Sequence, residues 1–163
     1  MILGRQVRTR GTAKGTDVDE LLSDRFQETF WAAKKAIAEA TDTAFHRHGL
    51  RSGQQWILRC LWAEDGLSPG EVARRLDLAT PTVTKAASRM ESAGLLLRQP
   101  HPTDARLVRL HLTDRGRGLE KTVSDEMHHL AQRALGSLAP EEQAALVRYL
   151  AEIRRNLSSH PVA

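Results

Sequence analysis

The chain has 163 residues, 40% of them hydrophobic and 27% charged, and a formal net charge of +4. That length suits one domain with a sizeable core, and that composition excludes wholesale disorder. No apolar run approaches the roughly 18 residues that span a bilayer, the opening MILGRQVRTR lacks the apolar core of a signal peptide, and the single cysteine, Cys60, has no intrachain disulfide partner. A cytoplasmic protein with no membrane partner is expected.

The charge is concentrated. Between Gly70 and Gly118 stand nine basic residues and five acids, so this middle third carries the entire excess of +4. Such a distribution marks either a solvated basic face or a module that binds a polyanion, flanked by neutral scaffolding.

In chain order, residues 1–16 mix Gly, Thr, Arg and Lys without periodicity and read as a flexible basic arm. From Asp17 to about His46, apolar residues recur at three- and four-residue steps (Val18, Leu22, Phe26, Phe30, Ala33, Ile37), which predicts a long amphipathic helix. HGLRSGQ breaks it. Ser52 is placed to cap a second helix whose apolar side carries Trp56, Ile57, Cys60 and Leu61. Ser68 and Glu71 then form a capping box with Pro69 in the first turn. Val72, Ala73 and Leu76 make that helix's apolar side. After a short turn, Thr80 is expected to cap a further helix, with Pro81 at its first position. Val83, Ala87 and Met90 fall at i, i+4 and i+7 and face the core, and Gly94 supplies a left-handed stop.

Two short helices joined by a tight turn make a helix-turn-helix. LLLRQ and LVRLHL follow as the strands of a hairpin: Val108, Leu110 and Leu112 alternate with Leu107, Arg109 and His111. The tip, HPTDAR, sets Asp104 two residues from Arg106. Beyond it, Leu119, Val123, Met127, Leu130 and Ala134 form one helical stripe. Leu146, Leu150, Ile153 and Leu157 form another, after a helix start at Pro140. The fold class is therefore mainly α with a small β-hairpin wing: a winged helix-turn-helix with long terminal helices.

The stretch LSPGEVARRLDLATPTVTKAASRMESAGLLLRQPHPTDARLVRLHLTDRGRGL resembles the DNA-binding region of the MarR family of bacterial transcriptional regulators. RMESAGLL ending one helix, Asp-x-Arg in the wing and LTDRG opening the next helix carry the resemblance together. It implies one MarR-like domain over 17–163, with the winged helix-turn-helix at 52–118 and dimerisation helices at 17–48 and 119–160. One departure is Ala105, where the family's wing often has a second basic residue.

The resemblance and the chemistry point to double-stranded DNA as partner. On the second helix of the motif, Thr82, Thr84, Lys85, Ser88 and Arg89 remain exposed once the core positions are removed. Hydroxyls, ammonium and guanidinium groups there suit base edges and phosphates. Thr80, Pro81 and Ser68 lie at helix N-termini, where free N–H groups favour phosphate. Arg98 reads as a phosphate contact or a solvated charge. Arg106 at the hairpin tip is placed for a minor groove, with Asp104 orienting it.

The surplus apolar face of the terminal helices calls for a twofold homodimer, which suits a near-palindromic operator. The resemblance also implies a ligand-responsive repressor with a pocket for a small aromatic or phenolic effector. Trp31, His46, Gln54 and Trp56 are candidates to line it, although the tryptophans equally suit a plain core. Cys60 reads as an inert core thiol, since the chain has no second cysteine to resolve a sulfenic acid. No glycine-rich phosphate loop, nucleophile motif or metal-ligand spacing is present, so neither enzyme activity, cofactor nor metal is expected. The rival readings are an enzyme, or a winged helix used on RNA or protein.

Overall fold

The computed structural model describes residues 14–100, 103 and 107–158. The chain divides into two compact units, Met1–Glu39 and Ala40–Ala163. Helix α1 (Lys14–His46) supplies the described part of the first. Its 33 residues make it roughly 50 Å long at 1.5 Å per residue. It begins three residues before the expected start, inside the stretch read as an arm, because periodicity registers only residues with an apolar face to repeat. The expected stripe is largely uncovered: Leu22, Phe26, Phe30 and Ile37 are all exposed, with the two phenylalanine rings stacked at 5.9 Å.

The second unit begins with the buried end of α1, at Thr41 and Phe45, and continues through α2 (Gln54–Ala63), α3 (Pro69–Leu76) and α4 (Thr80–Ser92). Strands β1 (Leu96–Pro100) and β2 (Val108–Leu112) pair antiparallel, with Leu96 opposite Leu112 and Pro100 opposite Val108. A single bridge from Leu67 to Leu110 adds a third edge. Then come α5 (Asp114–Gly118), α6 (Glu120–Leu135) and α7 (Pro140–Ser158). Among the described residues, no helix is long and apolar enough to cross a membrane.

One core binds this unit. Ile57, Leu58 and Leu61 of α2 meet Val72 and Ala73 of α3, Val83, Ala87 and Met90 of α4, and Leu96, Leu110 and Leu112 of the hairpin. Val123 of α6 joins them. The i, i+4, i+7 assignment on α4 is therefore met, as is the strand alternation at Leu110 and Leu112.

Local expectations hold at some caps and fail at others. Ser68 and Glu71 form the expected capping box with Pro69 in the first turn. Gly94, at φ 68°, ends α4 in a Schellman turn: its N–H donates to the Glu91 carbonyl and that of Leu95 to the Met90 carbonyl, both at 2.9 Å. Ser52 does not cap α2; Gly53 stands at that position in left-handed geometry, with no side-chain cap. The face of α2 is correspondingly rotated, burying Ile57, Leu58 and Leu61 while Trp56 stays 45% exposed. Thr80 likewise is not a cap. Ala79 holds that place and Thr80 is the first helical residue.

Candidate nucleic-acid interface

The second helix of the helix-turn-helix presents the expected face. Thr82, Thr84, Lys85 and Arg89 of α4 are exposed, and Ser88 is half-buried. Among the described residues, the Lys85 and Arg89 side chains have no hydrogen-bond or ion-pair partner. Two long cations are thus available to an outside anion. The Thr84 hydroxyl donates back to the Thr80 carbonyl at 3.0 Å, so its remaining capacity is as an acceptor. The N-terminus of α4 has fewer free donors than expected. Pro81 has no N–H, and the Thr82 N–H donates to the Ala79 carbonyl at 2.9 Å. The Ser68 hydroxyl already accepts the Glu71 N–H at 3.2 Å within the capping box.

The far end of α4 is locked to the wing. The Arg98 N–H donates to Glu91 Oε1 at 2.9 Å and Arg98 Nε to Oε2 at 2.7 Å. These bonds, the backbone one foremost, hold the Glu91 carboxyl below the usual carboxylate range. Arg98 is therefore built into the wing base and is less available to phosphate than its type suggests. Asp104 and Arg106 lie outside the described residues, as do residues 1–13 of the basic arm.

Three further groups hold the interface, and of these the sequence marks only Glu71, as a capping-box residue. Arg109 on β2 donates from Nη1 to the Gly66 carbonyl at 3.0 Å and to Glu71 Oε2 at 3.1 Å. It thereby ties the wing to the capping box of α3. Glu71 is held below its ordinary range, first by the Ser68 hydrogen bonds and then by the charges of Arg109 and Arg74. Asp65 accepts the Leu112 N–H at 2.9 Å and Arg117 Nη1 at 3.2 Å.

The LTDRG segment clamps the end of α4. The Thr113 hydroxyl donates to the Gly94 carbonyl at 2.7 Å and accepts the Gly116 N–H at 3.0 Å. Arg115 donates to the Ala93 carbonyl at 2.7 Å. Carbonyls that a helix C-terminus leaves unpaired are satisfied by the next element.

The candidate effector residues are in varied surroundings. Trp31 is exposed on α1, with Lys34 Nζ 5.4 Å from its ring centroid. His46 is exposed at the α1 C-terminus. Trp56 carries the Arg59 guanidinium at 5.4 Å from its ring. Gln54 is only 6% exposed, and its Oε1 accepts the Arg51 N–H at 2.9 Å. Gln54 lines a cleft with residues of α4. A separate cavity of about 330 Å³ lies between α2 and α6, lined by Arg59, Trp62, Ala63, Glu120, Val123, Ser124 and Met127. Cys60 is half-buried, and desolvation pushes its thiol above the ordinary range against the pull of Arg75 and Arg59. That state disfavours the thiolate.

A helix-turn-helix with unpaired cations on its second helix, braced by a two-stranded wing, defines a winged-helix DNA-binding protein. A family model described as the MarR family matches residues 50–108. The HTH-type transcriptional regulator TtmR of Methylorubrum extorquens (strain PA1) is 34% identical over 143 residues, 88% of this chain and 72% of that protein. The PcaV transcriptional regulator from Streptomyces coelicolor superposes with a TM-score of 0.71 at 28% identity, over 80% of this chain and 98% of PcaV. Reduced AbfR bound to DNA gives a TM-score of 0.69 at 22% identity, over 87% and 98%. The chain belongs to the MarR family. It is a DNA-binding transcriptional regulator of MarR type, in a family of regulators and not of enzymes.

Proposed function

We propose that this chain is a ligand-responsive repressor that binds a near-palindromic operator as a homodimer. The observation that carries the DNA reading is the exposed face of α4, where Lys85 and Arg89 have no partner among the described residues while Val83, Ala87 and Met90 beneath them are fully buried. In this reading Thr82, Thr84, Lys85, Ser88 and Arg89 meet base edges and phosphates in a major groove. Ser68, Thr80 and Pro81 lie along the backbone. Arg106 enters the adjacent minor groove with Asp104 beside it, and Arg98 chiefly braces the wing.

The homodimer rests on uncovered apolar surface. Val147, Leu150 and Leu157 on α7 are exposed, and so are Leu22, Phe26 and Phe30 on α1. A self-complementary twofold contact is the commonest way to bury such faces, and it sets two recognition helices about one DNA turn apart.

The effector is a small aromatic or phenolic molecule. The cavity between α2 and α6 supports it, offering Trp62 and Met127 for a ring and Arg59 for an acidic group. A ligand there stabilises one arrangement of α2 against α6 and shifts the DNA-competent population. The Trp31, His46, Gln54 and Trp56 set is the alternative lining. Titration of the DNA upstream of the chain's own gene against a scrambled duplex tests the DNA reading, with sedimentation to count protomers. Tighter binding to the first duplex, with two protomers bound, is expected. Equal binding to both overturns sequence-specific recognition.

A further inference from the structure

Arg51 stands in the loop between α1 and α2 and belongs to none of the groups assigned above. It lines one cleft of about 220 Å³ with Gln54 of α2 and with Lys85 and Arg89 of α4. Among the described residues, no acid lines this cleft. Among the described residues, none of its three cationic side chains has an ion-pair or hydrogen-bond partner. Three unneutralised cations around one concavity raise the local potential and favour an anion.

A second observation points the same way. Gln54 is 6% exposed, and its Oε1 is committed to the Arg51 N–H. Among the described residues, its Nε2 amino group donates to no acceptor. Gln54 lines the cleft, so this uncommitted amide donor is available to an oxyanion seated there. The floor is apolar, formed by Ile57, Leu78 and Val83.

We propose that this cleft is a seat for a phosphodiester of the DNA backbone. Arg51, Lys85 and Arg89 hold the anionic oxygens, Gln54 Nε2 donates to one of them, and the apolar floor receives the sugar. The inference rests on the reading of α4 as the recognition helix. A helix in the major groove has a phosphate backbone along each side. Lys85 and Arg89 reach the cleft from that same helix, so a duplex on the α4 face passes a backbone over the cleft mouth. Arg51 is then a positioning contact that reads no sequence.

The test compares the full chain with Arg51→Gln and Arg51→Lys, titrating specific and scrambled duplexes at several salt concentrations. For each protomer bound, Arg51→Gln is expected to reduce the slope of log affinity against log salt by about 0.9. At 0.1 M salt that slope corresponds to a loss of about eightfold per protomer, equal on both duplexes. Arg51→Lys keeps the charge and retains the slope. Melting is unchanged in both, because the Arg51 side chain supports nothing within the fold.

An unchanged slope in Arg51→Gln, while wild type binds and Lys85→Ala weakens binding, overturns the phosphate seat and leaves the recognition helix intact. Failure of wild type to bind either duplex is instead the failure of the underlying reading. Melting of the DNA-free protein in 10 mM inorganic phosphate separates the two sources of oxyanion. Stabilisation that is lost in Arg51→Gln, with no change in the DNA slope, assigns the seat to a free anion and overturns the duplex proposal.

Discussion

Gly116 gives the sharpest test of how the recognition helix is held. A Cβ added there would lie 2.0 Å from the Leu95 carbonyl oxygen and 3.2 Å from Leu112 Cδ2. The first contact falls more than an ångström short of van der Waals separation, and its partner is backbone. That backbone cannot give way freely: the Leu95 N–H closes the Schellman turn of α4, and the Leu95 carbonyl accepts the Thr113 N–H at 3.2 Å. Trp62 Nε1 also donates to the Gly116 carbonyl at 3.0 Å, holding the other side.

Two effects oppose each other in Gly116→Ala. Helix propensity favours alanine by about 1 kcal/mol. Overpacking a fixed site costs about 1–3 kcal/mol and occasionally more, and a clash with backbone belongs at the upper end. We therefore expect a net loss on the order of 2 kcal/mol. For a chain of this size that is roughly 4–8 °C in Tm. Gly118→Ala is the matched control, because a Cβ at Gly118 meets nothing within 4 Å. It is expected to be neutral or slightly stabilising. Urea unfolding of both variants supplies the comparison, and DNA titration well below the melting range shows whether the end of α4 has moved. If the two alanine variants prove equally stable, the α5 clamp does not hold α4 as described.

Lys85→Ala and Arg89→Ala are each expected to weaken DNA binding by about 1–3 kcal/mol, read by titration with the melt unchanged; loss confined to certain operator variants marks a base contact, and uniform loss a phosphate contact. Leu150→Glu puts a charge on the exposed apolar face of α7 and should yield a folded monomer by sedimentation, with helical circular dichroism retained; an intact dimer would move the interface elsewhere. Glu126 is held below the usual carboxylate range, chiefly by its hydrogen bond with Arg47 and secondarily by His48 at 3.2 Å. A folded-state value below the unfolded one of about 4.3 means its contribution is present above that pH and lost as pH falls through the folded value. Glu126→Gln should therefore flatten the acid limb of a stability–pH profile, and an unaltered limb would show that this pair contributes nothing.

Much of the fold is legible in the sequence because its signals are local. The capping box at Ser68 and Glu71, the proline in the first turn of α3, the i, i+4, i+7 spacing of Val83, Ala87 and Met90 and the glycine at Gly94 each act within one or two helical turns. The hairpin alternation likewise anticipates the burial of Leu110 and Leu112. Local rules mislead where two residues compete for one position, as Ser52 with Gly53 and Thr80 with Ala79; those caps are decided by backbone angles, left-handed at Gly53 and extended at Ala79, which side-chain type alone does not fix.

What braces the interface depends on tertiary structure alone. Arg109 meets Glu71 across 38 residues, Leu112 meets Asp65 across 47 and Trp62 meets Gly116 across 54. Periodicity says which face of an element is buried and leaves open what lies against it. LTDRG is recognisable as a motif, yet the reason for its glycine appears only when the Leu95 carbonyl lies against it. The cationic cleft at Arg51 is hidden for the same reason. One arginine in a loop and two cations on a helix more than 30 positions away carry no mutual signal until packing brings them around one concavity.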